Sequence, residues 1–273
     1  MAQYNIDDLI YLMQRLRDPE SGCPWDLKQD FASIVPHTLE EAYEVADTIE
    51  RQDWAHLKDE LGDLLFQVIF YAQLGDEIDD EAQHFDFNAI VSNLIEKLVR
   101  RHPHVFPGGT LRSERSGASI DEAQIKANWE AIKQQERDGK ARTGVLDDIP
   151  RSLPALSRAQ KLQKRASQVG FDWNDPIPVL DKIAEEIDEL REAIREGRQE
   201  EIADEMGDML FAQVNLARHL GVNPETALRG TNQKFERRFG HIEAQVNASE
   251  RDWEQYSLYE LDAFWNEAKA KGL

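Results

Sequence analysis

The chain repeats itself, and acids carry the repeat. Glu40-Glu41-x-x-Glu44 returns 145 residues later as Glu185-Glu186-x-x-Glu189, and Glu60-Leu61-Gly62-Asp63 returns at the same shift as Glu205-Met206-Gly207-Asp208. Leu64-Leu65-Phe66 is matched in the same way by Met209-Leu210-Phe211. Upstream, Gln14-Arg15-Leu16 meets Gln160-Lys161-Leu162 and Trp25-Asp26 meets Phe171-Asp172, both at a shift of 146. Downstream, Lys97-x-x-Arg100-Arg101 meets Lys234-x-x-Arg237-Arg238 at 137, and Trp129-x-x-x-Lys133 meets Trp265-x-x-x-Lys269 at 136. The fall from 145 to 137 gives the first copy about eight extra residues, which fit the acidic, loop-like stretch from Gly75 to Asn88. At 273 residues the chain suits two domains of ordinary size, one per copy.

Between its breaks the sequence has a helical period. Leu39, Ala42, Tyr43, Ala46 and Ile49 follow three-to-four spacing, as do Leu57, Leu61, Leu64, Leu65 and Val68. No β-branched alternation is long enough to propose a sheet, so the expected class is all-α, with two tandem helical bundles. Gly139 to Gly144 lacks apolar periodicity, and Pro150 and Pro154 follow. This places a first repeat at 1–138, a linker at 139–150 and a second repeat at 151–273. Pro107 to Ser119 reads as a second flexible stretch. Hydrophobic residues make up 41% of the chain, enough for packed cores, while a net charge of −21 repels nucleic-acid polymers. The acidic, amphipathic N-terminus does not read as a signal peptide, and no apolar run approaches the ~20 residues of a membrane span. Cys23 is alone, so no intramolecular disulfide forms, and beside Pro24 and Trp25 it reads as packing. A cytoplasmic protein without membrane contact is expected.

The acid spacing carries the chemistry. If 39–50 and 55–74 form an antiparallel helix hairpin turning near Gln52, Glu44 and Glu60 each lie 8 residues from the turn, and Glu41 and Asp63 each lie 11. In the second copy Gly197 is the midpoint, with Glu189 and Glu205 at 8 and Glu186 and Asp208 at 11. Acids three apart share a helix face, and helices pack about 8–10 Å apart. Each set of four therefore converges on a small volume. Four carboxylates there repel unless some take up protons or a divalent cation sits between them. Mg²⁺, with Mn²⁺ as a substitute, suits oxygen ligands and commonly joins carboxylates to phosphates. A capping box, Thr38-x-x-Glu41, offers Glu41 another purpose, but Ile183 stands where Thr38 would recur. Gly62 and Gly207, each in mid-helix, suggest close approach of backbone or ligand.

A triphosphate needs cations. Lys234 and Arg238 share a helix face, as do Lys97 and Arg101. Trp265 with Lys269 could stack a base and touch a phosphate. Lys182 precedes Glu186 by four residues, where the first copy has His37, which favours the second copy as the nucleotide site. Glu185, Glu186, Glu189, Glu205 and Asp208 form the candidate catalytic set. His102-x-His104 lies in a proline-containing turn and reads as structural. Glu81-x-x-His84 is single, which speaks against a di-iron bundle, and no GxxxxGK[ST] phosphate loop is present. A competing reading is a helical dimerisation module that binds nucleotide or protein without turnover.

EExxE followed by ExxD on a helix hairpin resembles the MazG family of nucleoside triphosphate pyrophosphohydrolases. Further motifs resemble its full-length two-repeat bacterial members: CPWD at Cys23–Asp26, RRHPHVF at Arg100–Phe106, DDIPRSLPAL at Asp147–Leu156 and KFERRF at Lys234–Phe239. The resemblance implies a homodimer, Mg²⁺ dependence and hydrolysis of an NTP or dNTP to monophosphate and pyrophosphate. It places metal ligands at Glu186, Glu189, Glu205 and Asp208, with Glu41, Glu44, Glu60 and Asp63 in the first repeat. It places nucleotide contacts at Lys182, Lys234, Arg238 and Trp265.

Overall fold

Two helix hairpins, one in each half of the chain, turn where a left-handed residue stands. Helix α2 (Phe31–Glu50) and α3 (Trp54–Asp76) reverse at Gln52, whose φ of 58° is the one positive value at a non-glycine residue among those described. In the second half, α6 (Ile177–Glu196) and α7 (Gln199–His219) reverse at Gly197, at φ 68°. The left-handed backbone ends one helix abruptly and lets the next run back along it. These are the midpoints the acid spacing requires.

The computed structural model describes residues 3–114, 121, 124, 125, 128, 129, 131, 132, 136, 144–249 and 251–273. Among them all regular structure is helical, and no helix is long and apolar enough to cross a membrane. The remaining α-helices are α1 (Ile6–Leu16), α4 (Phe87–Arg101), α5 (Ala155–Ser167), α8 (Pro224–Asn247) and α9 (Leu258–Ala270). Short 3-10 turns lie at Asp26–Lys28 and Trp253–Gln255. The chain divides into two compact units, residues 1–140 and 141–273. The expected linker at 139–150 falls partly outside the described residues, and its described part, 144–150, is a run of turns and bends. The expected flexible stretch keeps turns up to Leu111 and Arg112, while 115–119 lie outside the described residues.

In the first unit α1 packs on α3, and α3 on α2 and α4. Met13, Ile34, Ile69, Phe70 and Leu74 form the core, each contributing roughly 2 kcal/mol by leaving water. Arg17 closes one side. Its guanidinium donates to Glu77 at 2.6 and 2.9 Å and to the carbonyls of Asp26 and Gln29, and it lies 5.4 Å from the Phe70 ring centre. Burial raises the cost of charge on Glu77, but its hydrogen bonds from Arg17 hold that carboxyl below its usual range. Asp26 of the CPWD motif thus serves as a buried backbone anchor for Arg17.

Helix α2 starts eight residues before the segment chosen from periodicity. Asp30 and Ser33 form its capping box, and it runs through Pro36, which has no N–H to donate within the helix. Thr38 is therefore interior. Its hydroxyl bonds the Ile34 carbonyl and Tyr71, so the capping role for Glu41 is excluded. The eight extra residues of the first copy are also accounted for. The α3–α4 link has ten residues, Glu77 to Asp86, against four between α7 and α8, and α3 is two residues longer than α7. Gly75 is required there, because a Cβ would meet the Phe85 carbonyl oxygen at 2.5 Å.

In the second unit α6 and α7 make the most extensive pairing, α5 packs on α7 and α8, and α9 on α8. Gly197→Ala is expected to lower the stability of this unit by about 1 kcal/mol, the cost of a side chain in left-handed backbone. Urea unfolding followed by circular dichroism measures it, and an unchanged midpoint would show that the turn tolerates a Cβ.

Candidate active site

Equal distances from each turn bring the acids together as a tertiary feature. Oxygens of Glu186, Glu205 and Asp208 lie within 4.8 Å of one another, and so do those of Glu41, Glu44 and Glu60. Glu189 and Asp63 are the fourth members. They stand close enough to act electrostatically on Glu205 and on Glu41 and Glu60, respectively. Burial first, then Glu189, Glu186 and Asp208, push the Glu205 carboxyl above its ordinary range. Glu41 is raised by burial, Asp63 and Glu44, and Glu60 by burial, Glu44 and Asp63. Ligands on opposite sides of a hard cation with ~2.1 Å bonds lie about 4 Å apart. The oxygen spacing and the mutual repulsion both fit such a cation.

The two clusters differ in countercharge. Lys182 donates to Glu185 at 2.7 Å and lies 2.8 Å from buried Glu186. These two bonds raise the affinity of Lys182 for its proton, so it stays cationic. His37, its counterpart, sits 3.8 Å from Glu40 and edge-on to Trp25 instead. At this position the first cluster has an imidazole directed to Glu40 in place of the ammonium of the second.

A cavity of about 860 Å³ in the second unit reaches Lys182, Glu186 and Asp208. The aromatic side chains of Phe171, Trp173 and Phe211 line it, together with Gln163, Asn215 and Arg218. Arg218 is fixed by Asn215 Oδ1 at 2.8 and 3.0 Å and by Asp172, which His219 also approaches at 3.1 Å. Burial opposes ionisation of Asp172, but its hydrogen bond from Arg218 keeps that carboxyl low. Sequence reasoning missed this group. The one signal was the recurrence of Trp25-Asp26 as Phe171-Asp172, which marks a shared fold position and not a function.

The remaining candidates lie on α8 and α9. Lys234 and Lys269 are exposed. Arg238 donates to the Leu273 carbonyl at 2.8 Å and sits 5.5 Å from the Trp265 ring centre, and Phe235 packs 5.4 Å from that ring. None of these four residues lines the cavity with Lys182 and the acids. In the first unit Arg100 and Arg101 both pair with Glu136, at 2.7 and 2.5 Å. Lys133 lies outside the described residues. Gly62 and Gly207 face open space among the described residues, so no backbone of their own unit approaches them. His84 bonds Asp76 at 3.1 Å, and the rings of His102 and His104 lie 5.6 Å apart.

The MazG nucleotide pyrophosphohydrolase domain matches this chain twice, over residues 29–106 and 176–242. Each match contains one of the acid-bearing hairpins. The chain belongs to the MazG family. It is 51% identical to the nucleoside triphosphate pyrophosphohydrolase of Escherichia coli, over 97% of each chain. It is 41% identical to the nucleoside triphosphate pyrophosphohydrolase/pyrophosphatase MazG of Thermotoga maritima, over 96% of this chain and 95% of that one. Both MazG matches stop short of Trp265, and the second includes Lys182, Lys234 and Arg238.

Crowded carboxylates that accept a cation stabilise the fold by mass action. Millimolar Mg²⁺ or Mn²⁺ is expected to raise the melting temperature by a few degrees. Glu186→Gln and Asp208→Asn should each shrink that shift, whereas Glu200→Gln, outside the clusters, should leave it intact. Equal shifts in all four proteins would place the cation elsewhere.

Proposed function

We propose that the second unit hydrolyses nucleoside triphosphates between the α and β phosphates, giving monophosphate and pyrophosphate, with Mg²⁺ or Mn²⁺ at its carboxylates. The observation that carries this reading is the convergence of Glu186, Glu205 and Asp208 within 4.8 Å beside Lys182, in a hairpin that matches the MazG domain. Glu189 completes the ligand set. A cation held there would draw charge from phosphate oxygens and ease deprotonation of water. The chain supplies the rest. Glu185 is exposed and oriented by Lys182, which suits it to take the proton of the attacking water. The Lys182 ammonium bridges two carboxylates and can exchange one for a phosphate oxygen.

Lys234 and Arg238 would meet the charge developing on pyrophosphate if a second copy of the chain supplied them. Two features support such a homodimer. Apolar side chains on the acid-bearing helices are exposed, including Tyr43, Leu61 and Leu65 in the first unit and Met206 and Leu210 in the second. Gly62 and Gly207 leave the same helices open to close approach. The first repeat, with matching acids but no equivalent of Lys182, is then mainly a dimer-building unit. Trp265, packed between Phe235 and the Arg238 guanidinium, holds that guanidinium in place.

With Mg²⁺, pyrophosphate should be the first product from an NTP or dNTP panel, and orthophosphate as first product would defeat the assignment. Asp208→Asn should lower kcat/KM roughly 100-fold or more with the helical spectrum unchanged. If Asp63→Asn does so and Asp208→Asn does not, the first repeat is the catalytic one. Co-expressing Asp208→Asn with Lys234→Ala tests the shared site. A two-fold dimer with acids and cations from different copies should recover about a quarter of wild-type activity, and no recovery places both sets in one chain.

A further inference from the structure

The cavity of the second unit occupies the place that the core of the first unit fills. By the repeat register, Ile34 corresponds to Val179, Phe70 to Asn215 and Arg17 to Gln163. In the first unit Ile34 and Phe70 are core residues, and Arg17 is sealed by Glu77 and the Phe70 ring. In the second unit Val179, Asn215 and Gln163 all line the cavity. A smaller aliphatic and two amides stand where a larger aliphatic, a phenyl ring and a paired guanidinium closed the core. Opening apolar space in this way lowers stability unless the space is used.

The polar groups left there point to its use. Gln163 is 8% exposed, and its Nε2 donates to the Phe211 carbonyl at 2.7 Å. A carbonyl can only accept, so this bond fixes which way the amide faces. Gln163 Oε1 is then a buried acceptor with no hydrogen-bond partner among the described residues. Such a group costs stability until a donor reaches it. Asn215 is 7% exposed, and its Oδ1 is taken by Arg218, while its amide nitrogen has no hydrogen-bond acceptor among the described residues. The aromatic side chains of Phe171, Trp173 and Phe211 line the same cavity as these amides and the carboxylates of Glu186 and Asp208. The ligand that fits is a flat, apolar-faced group with an N–H donor and an adjacent acceptor, attached to something that reaches a cation site.

We propose that this cavity is the nucleobase pocket of the second unit, in which Gln163 Oε1 accepts a hydrogen bond from a base N–H and the Asn215 amide donates to the neighbouring acceptor. The proposal rests on the nucleoside triphosphate reading above and locates the determinants of base selectivity within it. In the first repeat Phe70 and Arg17 stand at the register positions of Asn215 and Gln163 and occupy the space a base would take.

The test is binding of non-hydrolysable α,β-methylene triphosphates of the common bases, alongside the base-free ribose triphosphate, in the presence of Mn²⁺. Wild type should bind at least one base tenfold or more tighter than the base-free compound. Gln163→Leu should erase that advantage, and so should Asn215→Phe, which copies the residue of the first repeat. Mn²⁺ affinity should stay unchanged in both variants, which separates loss of the pocket from loss of the fold. Equal binding with and without a base in wild type overturns the proposal, as does an undiminished base preference in either variant. Pyrophosphate release from the ordinary triphosphates, measured in parallel, keeps the two readings apart. Turnover with a base preference that both variants leave undiminished removes the pocket alone. Absence of turnover with base-dependent binding lost in Gln163→Leu removes the pyrophosphohydrolase reading and leaves the pocket standing.

Discussion

Repulsion among carboxylates held at equal height on two antiparallel helices governs both units of this protein. Hairpin geometry forces the crowding. With turns at Gln52 and Gly197, residues eight and eleven positions away on each side must face one another. The acids cannot relax along the helices without breaking the hairpin. The free energy of crowding is relieved by proton uptake, a fixed cation or a bound metal ion. In the second unit Lys182 relieves part of it by bridging Glu185 and Glu186. In the first unit His37 stands at that position, and Glu41 and Glu60 hold their protons more tightly than ordinary glutamates. The same four acids thus sit in two electrostatic settings.

The units also divide along a second line. One uses the space beside its hairpin for packing, and the other leaves it open. Met13, Ile34, Ile69, Phe70 and Leu74 close the first, while the register positions of Ile34 and Phe70 in the second carry Val179 and Asn215. A chain with two copies of one bundle can assign burial to one and ligand space to the other. The countercharge and the cavity fall in the same unit, which is why the proposed chemistry is placed there.

The sequence carried the hairpins, the acid pairing and the acidic insertion, because each depends on spacing along the chain. Distance from a turn becomes height on a helix without any tertiary knowledge. What spacing could not convey is which way a face points. Lys234 and Arg238 share a face four residues apart, yet in the folded chain Arg238 turns to Trp265 and the Leu273 carbonyl. Apolar periodicity from Leu39 and the Thr38-x-x-Glu41 pattern set the start of α2 too late, whereas Asp30 and Ser33 supply the real cap. Gly62 and Gly207 suggest close approach of backbone or ligand, and among the described residues no other part of the protein fills the space beside them. The cavity was hidden because it arises from substitutions on three separate helices, none of which looks unusual alone.

Manganese anomalous diffraction from crystals grown with Mn²⁺ and an α,β-methylene nucleoside triphosphate tests the central claim most directly. The account predicts a peak enclosed by Glu186, Glu205 and Asp208, with Glu189 beside it and phosphate oxygens completing its coordination. Manganese bound away from both hairpins, with these carboxylates contacting only solvent and Lys182, would contradict it.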